Sequence, residues 1–79
     1  MVSEYVQEAV ECMLTSYEEQ THEYTLSGDE LSVGGVYLVI KGVKTVYEEE
    51  LFEDELWERL GSSYGVINHG HGRYEIHCL

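Results

Sequence analysis

The hydrophobic period of this chain runs from helical spacing to alternation, back to helical spacing and again to alternation, and few small folds accommodate that order. From Ser3 to about Tyr17 the apolar residues Val6, Ala9, Val10, Met13, Leu14 and Tyr17 recur at intervals of three and four. Projected at about 100° per residue they fall within an arc of roughly 140°, and Glu4, Glu8, Glu11 and Glu18 take the opposite side. Ser3 is placed to cap this helix, and Glu4 suits the positive end of its dipole. A second helix is expected over Glu48 to Leu60, where Phe52, Leu56 and Leu60 lie one turn apart. Glu48, Glu49 and Glu50 open it, Arg59 suits its far end, and Gly61 is placed to stop it.

Between the helices, alternation and β-branched residues predict strands at His22 to Ser27, Val36 to Ile40 and Val43 to Tyr47. Gly28-Asp29 reads as a hairpin turn because both residues tolerate positive φ. Gly34-Gly35 fits either a turn or a bulge, and that choice decides whether Leu31 to Val33 forms a short strand. Lys41-Gly42 reads as the turn into the next strand. Val36 to Ile40 is apolar on both faces, which fits a central strand covered by helices on at least one side. The tail, Tyr64 to Leu79, alternates about Gly70-His71-Gly72 and predicts a final hairpin. The expected class is α+β: a small antiparallel sheet with two amphipathic helices, in the order α-β-β-(β)-α-β-β, as a single domain spanning residues 1–79. A chain of 79 residues buries only about 60% of the surface its unfolded form exposes, so its core is small and leaves no room for a large cofactor cavity. No cofactor is expected.

Charge is the strongest functional signal. Sixteen Asp and Glu face four Lys and Arg, for a formal net charge of -12. Residues 1–35 hold eight acids and no Lys or Arg, and residues 48–58 add seven more acids. Glu4, Glu8 and Glu11 are four and three residues apart, so they rise along their helix by about 5 to 6 Å each and form a line of negative charge. Glu50, Asp54 and Glu58 stand four residues apart on the second helix. Ordinary solvated helix faces carry acids too, but they interleave Lys and Arg, whereas like charges at i,i+4 cost a few tenths of a kcal/mol each. Salt adaptation fits less well, because such surfaces use Asp heavily and this chain has fourteen Glu against two Asp.

The same charge excludes partners. DNA, RNA and anionic lipid require Lys or Arg to displace counterions, so direct nucleic-acid binding and membrane association are not expected. The first ten residues lack the basic and apolar regions of a secretory signal, and the longest apolar run, Val36 to Ile40, is far short of the roughly 18 residues of a membrane span. A soluble, cytoplasmic chain is expected, with Cys12 and Cys78 as free thiols.

His69, His71, His77 and Cys78 crowd the tail with zinc-type ligands, yet their spacing matches no standard finger and no CxxC pair exists. With a four-residue turn, His69 and His77 are expected to share a face with Glu75, and Cys78 to point into the core beside Ile76 and Tyr74. Surface histidines with a buried cysteine are therefore expected, and no metal. Catalytic constellations are poor. Cys12 lies at the boundary of an acid-rich helix, a poor setting for a thiol nucleophile, and neither glycine-rich piece has the Lys and following helix that a phosphate loop needs. The chain is not expected to be an enzyme.

Most of the seven Tyr should serve the sheet and core, while Tyr5 and Trp57 lie off the apolar centres of their helices. Beside carboxylates, such rings make anchors for Arg, which pairs with Glu and stacks on the aromatic face. In size, charge and α+β layout the whole chain resembles the small acidic inhibitors that phages encode against host nucleic-acid machinery, including anti-CRISPR proteins and DNA mimics; no motif is shared. The resemblance implies a stoichiometric inhibitor that occupies the basic groove of a CRISPR–Cas effector or another nucleic-acid-binding host protein. The candidate partner-binding residues are Glu4, Glu8, Glu11, Glu50, Asp54, Glu58, Tyr5 and Trp57. An acidic regulatory adaptor or antitoxin-like module is the alternative, and a small metal-binding protein a third.

Overall fold

Six elements follow the expected order in a computed structural model that describes residues 2–16 and 22–79. They are α1 (Glu4–Thr15), β1 (Tyr24–Gly28), β2 (Val36–Ile40), α2 (Val46–Leu60), β3 (Tyr64–Gly70) and β4 (Arg73–Cys78). The strands form one antiparallel sheet in the spatial order β1-β2-β4-β3. The fold is α+β, as the alternating periods require.

Alternation along each strand separates two faces. Val36, Leu38 and Ile40 of β2, Tyr74 and Ile76 of β4 and Val66 of β3 point to one face, where they meet Val6, Val10 and Met13 of α1 and Phe52, Leu56 and Leu60 of α2 in a single buried cluster. Both helices therefore cover the same side of the sheet. The opposite face carries Tyr37 and Val39 of β2, Ile67 and His69 of β3, and Arg73, Glu75 and His77 of β4, and among the described residues no helix covers it.

Local chemistry sets the helix ends. The Ser3 hydroxyl accepts the Val6 N–H at the start of α1, and the Thr45 hydroxyl accepts the Glu48 N–H at the start of α2. The Gly61 N–H closes α2 on the Trp57 carbonyl at φ 81°. This cap corrects one expectation. Val43 to Tyr47 is not a strand: Thr45 and Glu48 form a helix start, and α2 opens at Val46. The sheet offered no place beside β2 in any case, because β1 and β4 already occupy its two edges. Tyr47 is consequently an exposed helix residue. Residues 31–33 are turn, not strand. β1 is shifted from the expected His22 to Ser27 to Tyr24–Gly28, and α1 ends at Thr15; Tyr17 and Glu18 lie outside the described residues.

The final hairpin forms as expected, with His71 in its turn at φ 56° and a register shift between Asn68 and Gly70 that sets His69 in a bulge. Gly72 sits at φ 80° with its backbone against the Ile40 carbonyl, where any Cβ would collide. The Gly72 carbonyl accepts the Ile40 N–H at 2.7 Å, tying the hairpin turn to the end of β2.

Candidate functional site

The expected partner-binding residues lie on the two helices that cover one face of the sheet. Glu4, Glu8 and Glu11 are exposed along α1, and Glu50, Asp54 and Glu58 along α2. Among the described residues, the side chains of Glu4, Glu8, Glu50, Asp54 and Glu58 have no ion pair or hydrogen bond. Glu11 differs, since it accepts the Tyr24 hydroxyl at 3.1 Å. Burial and that carboxylate together raise the Tyr24 pKa. Trp57 is 41% exposed on α2, as its place at the edge of the stripe suggests.

Tyr5 is half exposed, but it is also tied to the fold. Its hydroxyl donates to the Leu60 carbonyl at 2.8 Å and its ring stacks on Tyr64 with centroids 5.6 Å apart. Arg59, in the last turn of α2, holds Glu55 at 3.1 Å and the Ser16 hydroxyl at 3.0 Å. The one cation of the helix layer is thereby engaged within the molecule. Lys41, Lys44 and Arg73 lie elsewhere, at the end of the sheet formed by the close of β2 and the β3–β4 turn.

The histidines of the tail take the expected face. His69 Nε2 lies 2.8 Å from Glu75 Oε2, and His77 Nε2 lies 4.0 Å from the same oxygen. The Tyr37 ring packs beside His69, and Gly35 leaves just enough room for the His77 ring. Cys78 departs from expectation. The alternation that buries Tyr74 and Ile76 runs out at the end of β4, so Cys78 is exposed and its thiol faces Glu30 at 3.8 Å. Cys12 is exposed as well. Among the described residues no group of three or more His, Cys, Asp and Glu is arranged to hold a metal ion.

Two features were not read from the sequence. Glu30 follows β1 and joins three other elements: it accepts the Ser3 N–H at 2.9 Å and the Tyr64 hydroxyl at 2.7 Å, and its carbonyl accepts the Cys78 N–H at 3.4 Å. Burial by itself raises the Glu30 carboxyl, but hydrogen bonds from Ser3, Tyr64 and Cys78 outweigh it and hold the group below its usual range. The hydrogen bond to Glu30, with burial, pushes Tyr64 up to about 12. No local pattern marks such a long-range acceptor. The second feature is the exposure of Leu31 and Val33, whose signal was the pair of flanks Gly28-Asp29 and Gly34-Gly35 that make 29–35 a loop.

No family model matches the chain, and neither a curated protein nor a solved structure does so. Among the described residues no helix is long and apolar enough to cross a membrane.

Proposed function

We propose that this chain is a non-enzymatic inhibitor that binds the basic nucleic-acid-binding surface of a host protein, with a CRISPR–Cas effector as the foremost candidate. The observation that carries this reading is the helix layer, where two acidic rows are exposed on helices that cover the same side of the sheet and, among the described residues, no cation pairs with Glu4, Glu8, Glu50, Asp54 or Glu58. Carboxylates recurring about every 5 to 6 Å along a helix make a line of negative charge suited to a groove whose Arg and Lys hold backbone phosphates. Proteins that read DNA do so with Arg and Lys, which carboxylates engage directly. Tyr5 and Trp57 supply ring faces on which Arg stacks. The chain would mimic charge and not base sequence, and would act in the cytoplasm of the host cell.

The test is competition. Fluorescence anisotropy of a labelled target duplex, bound to each of a panel of purified CRISPR–Cas effector complexes, should fall as the protein is added at stoichiometric amounts. The effect should weaken with added salt and with Glu4, Glu8 and Glu11 reversed to Lys, or Glu50, Asp54 and Glu58 reversed to Lys. Displacement that survives both triple reversals would refute charge mimicry. A protein that binds only partners without a nucleic-acid function would favour the adaptor reading instead.

A further inference from the structure

An acidic helix face attracts any cation, and a ring beside each carboxylate is what tells one cation from another. Residues three apart on a helix are neighbours, and α2 sets a ring and a carboxylate at that spacing twice, Tyr47 with Glu50 and Asp54 with Trp57. At about 100° per residue these four side chains fall within an arc of roughly 80°, outside the buried stripe of Phe52, Leu56 and Leu60. The helix start at Val46, in place of the expected strand, is what puts Tyr47 one turn from Glu50. Tyr47 is 74% exposed and Trp57 is 41% exposed. Among the described residues, the side chains of Tyr47, Glu50, Asp54 and Trp57 have no hydrogen bond, ion pair or ring contact.

α1 has the same spacing at Tyr5 and Glu8, but there the fold has taken the ring. Tyr64 covers one face of Tyr5 with centroids 5.6 Å apart, and the Tyr5 hydroxyl donates to the Leu60 carbonyl at 2.8 Å. Glu11 is occupied by the Tyr24 hydroxyl. On α2 the free pairs lie seven residues apart, about 10 Å along the axis. A guanidinium suits each pair, because it stacks flat on a ring while its N–H fork bonds the neighbouring carboxylate; an ammonium is a hydrated point charge and gains chiefly the pairing. A second copy of this chain is a poor source of such groups. It has only Arg59 and Arg73, and Arg59 is already held by Glu55 at 3.1 Å.

We infer that the outer face of α2 is an arginine-recognition surface, with Tyr47/Glu50 and Asp54/Trp57 each clamping one Arg of a partner protein whose two arginines stand about 10 Å apart. This rests on the basic-partner reading above and assigns the contact to α2, with Tyr47 as an anchor. The test titrates the full chain with nona-arginine and nona-lysine, probes of equal length and charge, by calorimetry at physiological salt. Nona-arginine should bind about tenfold tighter. Tyr47→Leu/Trp57→Leu keeps apolar bulk without the rings and should cut that preference to about threefold or less. Tyr47→Leu alone, whose ring lies outside the core, should lower it part of the way and guards against an unstable double variant. Glu4→Gln/Glu8→Gln should weaken both peptides alike and leave the ratio intact. The Trp57 indole resonance should shift more with nona-arginine than with nona-lysine at equal saturation. Equal affinity for the two peptides, a ratio that survives both ring variants, or a ratio lost in Glu4→Gln/Glu8→Gln would overturn the inference. Its failure is separable from that of the parent reading. Ring-dependent arginine preference with no displacement of duplex from the effector panel would sink the nucleic-acid reading and keep the clamps, and displacement with a ring-independent ratio would do the reverse.

Discussion

Replacing Glu30 with Ala removes the acceptor for two donors at once, the Ser3 N–H at 2.9 Å and the Tyr64 hydroxyl at 2.7 Å, both in part-buried surroundings. Leaving a buried donor unsatisfied costs about 1–3 kcal/mol, and partial access of water to these groups puts the sum near 2 kcal/mol. In a domain of this size each kcal/mol moves the melting temperature by about 4–8 °C, so Glu30→Ala should melt about 8–16 °C below the wild type. Glu30→Gln keeps one oxygen and should lose less. The pH dependence has a definite sign. Because folding lowers the Glu30 pKa, its contribution is complete above the ordinary carboxylate range near pH 4–5 and is lost as pH falls through the lowered folded value. The wild-type advantage over Glu30→Gln should therefore be largest near neutral pH and shrink toward pH 3. Tyr64 acts at the other limit: raised to about 12, it contributes stability below its ordinary value near 10 that is lost as pH rises through about 12. Circular-dichroism melts across this range read all of these differences. A Glu30→Ala melt within about 2 °C of the wild type would refute the argument that Glu30 ties the sheet end to α1, since even 1 kcal/mol moves the midpoint by about 4 °C or more. A Glu30→Gln deficit independent of pH would refute the assigned charge state.

Salt should stabilise the isolated protein. The like-charged neighbours Glu4/Glu8, Glu8/Glu11, Glu50/Asp54 and Asp54/Glu58 cost about 0.2–0.5 kcal/mol each, so screening between 0.01 M and 0.15 M salt should raise the melting temperature by several degrees, and a flat or falling trend would mean the rows are already compensated. Gly72→Ala should destabilise by more than about 1 kcal/mol because a Cβ meets the Ile40 carbonyl at φ 80°, whereas Gly34→Ala, with open space around it, should be neutral or slightly stabilising. Leu56→Ala, at the centre of the core, should cost about 2–5 kcal/mol in denaturant unfolding. Elemental analysis of the purified protein should find no stoichiometric zinc, and a chelator should leave its melting unchanged; one equivalent lost on changing His69 and His77 to Ala would promote a metal-binding reading.

The parts of the fold that were legible in the sequence are those set by local period. The stripe of α1, the apolar run of β2 and the glycine-centred hairpin all follow from spacings of three to four or of two. The misreading at Val43 to Tyr47 arose where five residues satisfied strand alternation and a helix cap satisfied the same segment; the pairing of β2 on both edges, a long-range fact, decided between them. The site divided the same way. Exposure of Glu4, Glu8, Glu50, Asp54 and Glu58 followed from helical geometry, and the shared face of His69, Glu75 and His77 from strand alternation. Glu30 was one acid among sixteen until the fold brought Ser3, Tyr64 and Cys78 to it.

That contrast separates two kinds of acid in one chain. Acids that face the fold act as acceptors, and most of their donors are neutral. Glu11 takes the Tyr24 hydroxyl, Glu49 the His71 N–H, Glu53 the Asn68 amide, and Glu30 the donors already described. Only Glu55 with Arg59 and the exposed Glu23 with Lys41 pair with Lys or Arg among the described residues. Neutral donors satisfy a carboxylate without cancelling its charge, so the fold uses acids structurally and still leaves the molecule strongly negative. Removing the outward row Glu50, Asp54 and Glu58 should therefore relieve repulsion without loosening any internal bond. The triple change to Gln should raise the melting temperature at low salt and flatten its salt dependence, while weakening association with any basic partner. A triple variant less stable than the wild type at low salt would mean that these residues belong to the structural class after all, and the case for reserving them to a partner would fail.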